Sequence, residues 1–473
     1  MLFHSFEFML LLVFTYALYY MLPSKRAYIL AAANLLFYGA SGIGFLVLFI
    51  IMSYITYFCS RKLHGRYGKA YYLSVLAVNI LNIAFFKYTG FILINLNKLL
   101  GAKFVWQDNL LARIILPVGI SFYTFQLIAY IVDVKRGDIE PCESYVRFWV
   151  FISFFAQLIA GPIMRGRNFI PQLDEVDSIS FEEVRFKYGI YYIFRGLIKK
   201  IIFADNLAPI VIHYYSDVAA MSGLDAWFAT YVFAFQIYFD FSAYSEFAIG
   251  IGHLFGFDMA CNFKTPYISG NPKDFWRRWH ITLSSWIRDY IYIPLGGNTN
   301  ILMRKSIFVL AAMLISGLWH GAKWTFVLWG AYHGLLAALH NYYKKYSERL
   351  APKLRESLPY RYICTFVFFQ LATMGWVLFR ANSLHDAAAV LLKMLNFTDF
   401  VFYETYYLYF SVIAVLYLLH LLEYYINKHE AVLCSRWTQE VPPYIRAAVY
   451  TALIFVLIMF NASEESTFIY FQF

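Results

Sequence analysis

His320 lies in the string Gly317-Leu-Trp-His320-Gly321, directly after Ser306 to Trp319, an apolar stretch of 14 residues. A helix of that length rises roughly 21 Å, short of the ~30 Å hydrocarbon core of a bilayer. A chain entering the membrane behind Arg304 and Lys305 therefore leaves His320 inside it. Ionisable groups and irregular backbone are tolerated at that depth only against a cavity or packed protein. A neutral imidazole there can take a hydroxyl proton as a general base. The residues leave a second reading level with the first, a buried histidine that bonds a carbonyl and joins two helices. His280, beside Trp279, reads more simply as a capping or interfacial histidine. His333 and His340 lie seven apart on one apolar run, and helix packing is their simpler reading.

Asp240 is the second anomaly, in Gln236-Ile-Tyr-Phe-Asp240-Phe-Ser242-Ala-Tyr244-Ser-Glu246. The string is either a wall that binds substrate or handles protons, or a buried hydrogen-bond network that fixes helix packing. Asp133, near the end of its run, reads as an interfacial anchor. No Walker loop, GxSxG elbow, HExxH or kinase set is present, and no set of His, Asp and Cys has metal-ligand spacing. No metal site is expected. The five cysteines form no CxxC pair and read as core filler.

These residues sit in a chain that is 61% hydrophobic and 14% charged over 473 residues. Soluble domains average about 25% charged residues, so an ordinary cytosolic enzyme and a disordered protein are both excluded. The expected class is an all-α polytopic membrane protein with about 11–12 transmembrane helices, as its length allows, plus short interfacial and re-entrant helices. Apolar runs fall at about 2–21, 27–59, 71–95, 111–134, 146–164, 188–213, 226–257, 306–319, 323–343, 361–379, 405–426 and 444–461. The 27–59 run is one long helix or two, broken near Gly42 and Gly44. The net charge of +10 lies in clusters between apolar runs. Arg61, Lys62, Arg66 and Lys69 mark one cytoplasmic loop, Arg277, Arg278, Arg304 and Lys305 another, and Lys344, Lys345, Arg349, Lys353 and Arg355 a third. This distribution speaks against nucleic-acid binding. The first apolar run has no basic residues before it and reads as a retained helix.

One membrane-embedded domain, 1–473, is expected, with its catalytic region at about 258–334. Six of the eleven tryptophans lie between Trp276 and Trp329. Asn271-Pro-Lys-Asp-Phe-Trp-Arg-Arg-Trp-His280 is too charged to span lipid and too aromatic for a plain loop. It reads as an interfacial helix start with Asn271 or Asp274 as its N-cap.

At these residues the chain resembles the membrane-bound O-acyltransferase (MBOAT) family, in its bacterial polysaccharide O-acetylation branch. The resemblance is carried by Pro117-Val-Gly-Ile-Ser-Phe-Tyr-Thr-Phe-Gln126, Ala160-Gly-Pro-Ile163, Tyr238-Phe-Asp-Phe-Ser-Ala-Tyr244 and Asn262-Phe-Lys-Thr-Pro-Tyr267. It continues through Asp274-Phe-Trp-Arg-Arg-Trp-His280, Arg288-Asp-Tyr-Ile-Tyr-Ile-Pro-Leu-Gly-Gly-Asn298, Leu318-Trp-His-Gly-Ala322, Trp376-Val-Leu-Phe-Arg380 and the closing Phe471-Gln-Phe473. The Ile293-Pro-Leu-Gly-Gly-Asn298 block looks like the alginate and peptidoglycan O-acetyltransferase type more than the teichoic-acid D-alanyl type. Glu246 departs from the Asp expected there.

The resemblance implies a catalytic pair, His320 and His280, with His320 at the bottom of a tunnel through the membrane. It implies acetyl transfer from a cytoplasmic thioester, acetyl-CoA or an acyl carrier, to an extracytoplasmic hydroxyl acceptor. No bound cofactor is expected. Asp240, Tyr244, Trp279, Trp319 and Asn262 are the expected substrate or tunnel residues. Arg277, Arg278 and Arg288 are the expected donor-binding residues, though the positive-inside rule alone accounts for them. A periplasmic SGNH-hydrolase-like acetyltransferase is the expected partner, and the bacterial inner membrane the expected location. A transporter or flippase for an acyl carrier or lipid-linked sugar shares the polytopic build, but explains the two histidine blocks less directly.

Overall fold

The structure is a computed structural model and describes residues 5–101, 114–350, 352–396, 404–460 and 468–469. The closing Phe471-Gln-Phe473 and the first residues of the 2–21 and 111–134 runs lie outside the described residues. The described elements are helices, with no strand among them. The protein is an all-α, multi-pass membrane protein. Five described helices are long and apolar enough to cross a membrane: Ile43–Ser60, Gly68–Leu100, Leu302–His320, Leu358–Arg380 and Tyr406–Lys428. A sixth crossing is available to Phe6–Met21 with Pro23–Gly39, which bend by 119° at Leu22.

This is fewer than the runs alone suggest, for reasons visible in the chain. The 146–164 run divides at Phe154 into the short helices Tyr145–Ser153 and Phe155–Leu158. The 188–213 run is broken by a π-helical turn, Ile198–Ala204, that carries two lysines. The 27–59 run is two helices, Arg26–Gly39 and Ile43–Ser60, joined through Gly42 at φ 130°. The helix ending at His320 starts at Leu302, not Ser306, so it has 19 residues. That is roughly 28 Å of rise, close to a full crossing. His320 is then its last residue, not the end of a half-span.

The contacts fall into two compact units, residues 1–196 with 244–261, and residues 197–243 with 262–473. The first unit is built on rings. Phe49 stacks on Tyr123 at 4.2 Å, and Tyr130 packs on Phe148 at 4.7 Å. Its buried Arg26 guanidinium donates from Nε to the Tyr19 carbonyl (3.0 Å) and from one terminal nitrogen to that of Val176 (3.2 Å), so the charge is held by backbone dipoles.

The second unit is organised by Leu302–His320 against Trp324–Leu350. Two glycines let their backbones meet: a Cβ on Gly317 would run into the Phe326 carbonyl, and one on Gly330 into that of Met313. Small residues at such a seam allow dispersion contacts between backbones, which matter most where lipid gives helices little hydrophobic drive to associate. Gly330→Val is expected to force the pair apart at a cost of about 1–3 kcal/mol. A lowered thermal midpoint in detergent would show it. An unchanged midpoint would mean that the seam does not hold this unit together.

Candidate active site

The segment 262–282 is a loop with short helical turns, closed by its own backbone. Ile281 N–H donates to the Asn262 carbonyl (2.9 Å), and Lys264 N–H to that of Arg278 (2.9 Å). The Asn262 side-chain oxygen accepts from Thr282 Oγ1 at 2.6 Å and from the Thr282 N–H at 3.3 Å. Asn262 is thus a staple across the ends of the loop. Asn271 caps the short helix Pro272–Trp276, accepting from the Asp274 N–H at 2.9 Å. His280 precedes the helix Ile281–Ile287 with φ +41°, a left-handed conformation that costs free energy for a residue with a Cβ. Such strain persists only where surrounding contacts hold it, and here it aims the imidazole inward, fully buried.

Both imidazoles pack against Trp319. Its ring lies 5.9 Å from that of His280 and 5.0 Å from that of His320. From His320 the contacts pass to Trp329 (4.9 Å), Trp376 (6.1 Å), Trp279 (4.6 Å) and Phe263 (5.1 Å), and return to His280 (6.4 Å). Seven rings therefore form a closed collar containing two histidines. An aromatic wall of this kind lowers the local dielectric and excludes water, which strengthens any hydrogen bond made within it. Burial pushes the His280 pKa down to about 3, which keeps that ring neutral near pH 7.

The collar brings together His320, His280, Trp319 and Trp279. Other expected residues sit elsewhere. Tyr244 is buried in the first unit. Asp240 lies in the second, and both its oxygens are committed: Oδ1 to Lys200 Nζ at 2.9 Å, and Oδ2 to the Ile469 N–H at 2.8 Å. Lys200 also pairs with Asp205 at 2.8 Å. The carboxylate is thus part of a charge network that ties Ile469 down, and Phe468 rests on Phe241, whose ring meets that of His280 at 4.6 Å. Glu246 pairs with Arg195 at 2.8 Å inside the first unit.

The three arginines differ. Arg278 is bound to Asp274 (3.0 Å) and to the Lys264 carbonyl (3.2 Å). Arg288 is mostly exposed and paired with Asp289. Arg277 is exposed and belongs to a cationic group: the Lys273 pKa is lowered by burial first, then by Arg277, Lys344 and Lys305. Lys273, Lys305 and Lys344 do not stand out in the sequence as donor contacts, because they lie in three separate stretches.

A second cluster is only partly signalled by the sequence. Lys199 Nζ meets Glu423 Oε1 at 2.6 Å, and Tyr238 OH donates to Glu423 Oε2 at 2.8 Å. The Tyr267 N–H donates to Nε2 of His420 at 3.2 Å. The available signal is two adjacent lysines within an apolar run, which need buried acids; their partners lie 224 and 40 residues away. No group of three or more His, Cys, Asp or Glu placed to hold a metal occurs among the described residues.

The membrane-bound O-acyltransferase family matches residues 142–385. The alginate O-acetylase AlgI (named "probable") of Azotobacter vinelandii is 36% identical over 389 residues, covering 81% of this chain and 75% of that one. The peptidoglycan O-acetyltransferase of Helicobacter pylori is 34% identical over 398 residues, covering 77% and 73%. The teichoic acid D-alanyltransferase of Bacillus subtilis is 28% identical over 279 residues, covering 57% and 69%. The chain belongs to the MBOAT family. It is an acyltransferase enzyme.

Two outcomes test this geometry. Lys200→Met leaves the buried Asp240 and the partly buried Asp205 without their cation and is expected to destabilise by about 3–5 kcal/mol, with much of the loss recovered in Lys200→Met/Asp240→Leu. Thermal unfolding of the two variants decides it, and no recovery would mean that the network is not a coupled pair. His280 gives a pH dependence. The unfolded imidazole titrates near about 6.5 and the native one far lower, so stability is full above that pH. It declines as the pH falls from there toward 3, because only the unfolded state takes up the proton. The thermal midpoint should drop between about pH 7 and about pH 5, and drop less in His280→Gln.

Proposed function

We propose that the protein O-acetylates a cell-envelope or secreted polysaccharide, alginate-like or peptidoglycan, by moving an acetyl group across the bacterial inner membrane. The donor is a cytoplasmic thioester, acetyl-CoA or an acyl carrier, and the acceptor an extracytoplasmic hydroxyl. That acceptor is either the polymer or a periplasmic SGNH-hydrolase-like acetyltransferase that relays the group. The observation that carries the reading is the aromatic collar, in which His280 and His320 flank one tryptophan at the end of a membrane-crossing helix. The names of the alginate and peptidoglycan relatives support the acetyl group and the polysaccharide.

In this mechanism His320 accepts the hydroxyl proton as the oxygen attacks the thioester carbonyl carbon. The tetrahedral intermediate carries its negative charge on the former carbonyl oxygen. Neutral His280 donates an N–H toward it, a preorganised dipole in a low-dielectric setting. Collapse breaks the C–S bond, and the thiolate recovers the proton from His320. The balance is one ester formed, one thioester broken and one proton passed from oxygen to sulfur. Trp319 and Trp329 hold the His320 ring and keep water from hydrolysing the thioester.

Purified protein in nanodiscs, given acetyl-labelled CoA with and without an SGNH-type partner, tests this. His320→Ala is expected to lower transfer by at least ~10²-fold, and by up to about 10⁴-fold, the range for losing a general base. His280→Ala should lower kcat more than it changes KM. Equal transfer by wild type and His320→Ala would refute the assignment.

A further inference from the structure

Trp276, Trp329 and His333 meet as a triangle of rings. The centroids are 5.7 Å apart for the two tryptophans, 5.2 Å for Trp276 and His333, and 4.9 Å for Trp329 and His333. Trp329 and His333 are fully buried, and Trp276 is partly so. Nε1 of each indole and both nitrogens of the imidazole are shielded from solvent, with no hydrogen-bond partner among the described residues. A buried donor left unsatisfied costs about 1–3 kcal/mol, and folded proteins rarely leave one. Several such nitrogens on three touching rings mark a place for an occupant.

The donor inventory defines its chemistry. An indole N–H only donates, and a neutral imidazole donates from one nitrogen. The occupant must therefore bring an acceptor with more than one lone pair. A full negative charge does not suit the surroundings, since His333 is stacked parallel to Phe275 at 6.1 Å and abuts Tyr332 at 5.4 Å. A carbonyl oxygen fits. Gly375 lets the backbone of a third helix close on the imidazole: a Cβ there would stand only 2.7 Å from His333 Nε2, so the ring is held tightly in place.

Position narrows the choice further. Trp329 is also the ring packed on His320, at 4.9 Å. Trp276 ends the helix Pro272–Trp276, whose Lys273 lies among Arg277, Lys305 and Lys344. The order is a cationic group, then an acceptor-seeking triangle, then the reacting histidine. A thiol donor with phosphate at one end, amides along its arm and a thioester at the other has the same order.

We propose that Trp276, Trp329 and His333 form a subsite for an amide carbonyl of the donor's thiol arm. The inference rests on the thioester donor proposed above, and it holds alike for coenzyme A and for a carrier protein, which present the same amide-bearing arm. Trp276 and Trp329 donate to the carbonyl oxygen, and His333 supplies the third hydrogen bond. The subsite sets the register of the arm so that the thioester carbon stops at His320.

The test compares two small donors in thiol release by the full-length protein. S-acetyl-N-acetylcysteamine keeps one amide, and S-butyl thioacetate has methylenes in its place. Trp329→Phe and Trp276→Phe remove the N–H together with the pyrrole half of the indole while keeping an aromatic ring, and the second sits at the more exposed corner where folding is least at risk. Each is expected to lower the kcat/KM preference for the amide donor over the amide-free donor by about tenfold, mainly through KM. His333→Leu should do the same, with His333→Gln restoring part of the preference. An equal loss on both donors would make the triangle a packing feature and overturn the subsite. An unchanged preference would mean that only water occupies the triangle, and would overturn the subsite as well. Wild-type protein that turns over acetyl-CoA while the preference stays fixed would sink the subsite alone. Wild-type protein that releases thiol from none of the donors would sink the donor reading and the subsite together.

Discussion

At Gly317 and Gly330 the backbones of Leu302–His320 and Trp324–Leu350 come into direct contact, closer than any side chain would permit. The rest of the site is built on that approach. It sets Trp329 against His320, and it places His333, one turn further along, against Phe275 and Trp276 of the 262–282 loop. Gly375 on a third helix admits the His333 ring in the same way. Glycine supplies no apolar area, so its contribution here is distance. It lets large rings fill the remaining space and bring their nitrogens together.

Hydrocarbon punishes unpaired charge, and the second unit answers with networks rather than isolated pairs. The π-helical turn Ile198–Ala204 sends neighbouring lysines to different acids, Lys199 to Glu423 and Lys200 to Asp240 and Asp205. A regular α-helix turns adjacent side chains about 100° apart, and local widening of the turn helps both to reach inward. These charges hold helices in place around the collar, where burial keeps the His280 ring neutral near pH 7.

Much of the site is legible from residue types at short range. The Trp-rich stretch, the glycines about His320 and the polar helix start at Asn271 each signal local structure, and each is found where the sequence places it. The helix ending at His320 is longer than its apolar run because it takes in Arg304 and Lys305, which a reading by hydropathy leaves outside as flanking charges. Long cationic side chains can lie within a first turn and still reach water. Asp240 leaves two readings open from its own string. Its Lys200 and Ile469 partners answer in favour of a network, but they lie 40 and 229 residues away, beyond any local periodicity. His333 reads as packing when seen alone, and its character emerges only from rings supplied by two other segments.

The hydrogen bond from Ile469 to Asp240 also has a consequence in time. A ribosome that has delivered Asp240 must add 229 more residues before that partner exists. At roughly 5–20 residues per second this is on the order of tens of seconds. During that interval the helix bearing Asp240 is already made, with one carboxylate oxygen waiting. Lys200, made 40 residues earlier, is the partner that carries the acid through the wait. The nascent protein thus neutralises its charge first and gains its last backbone hydrogen bond late, an order of assembly written into the sequence separations themselves.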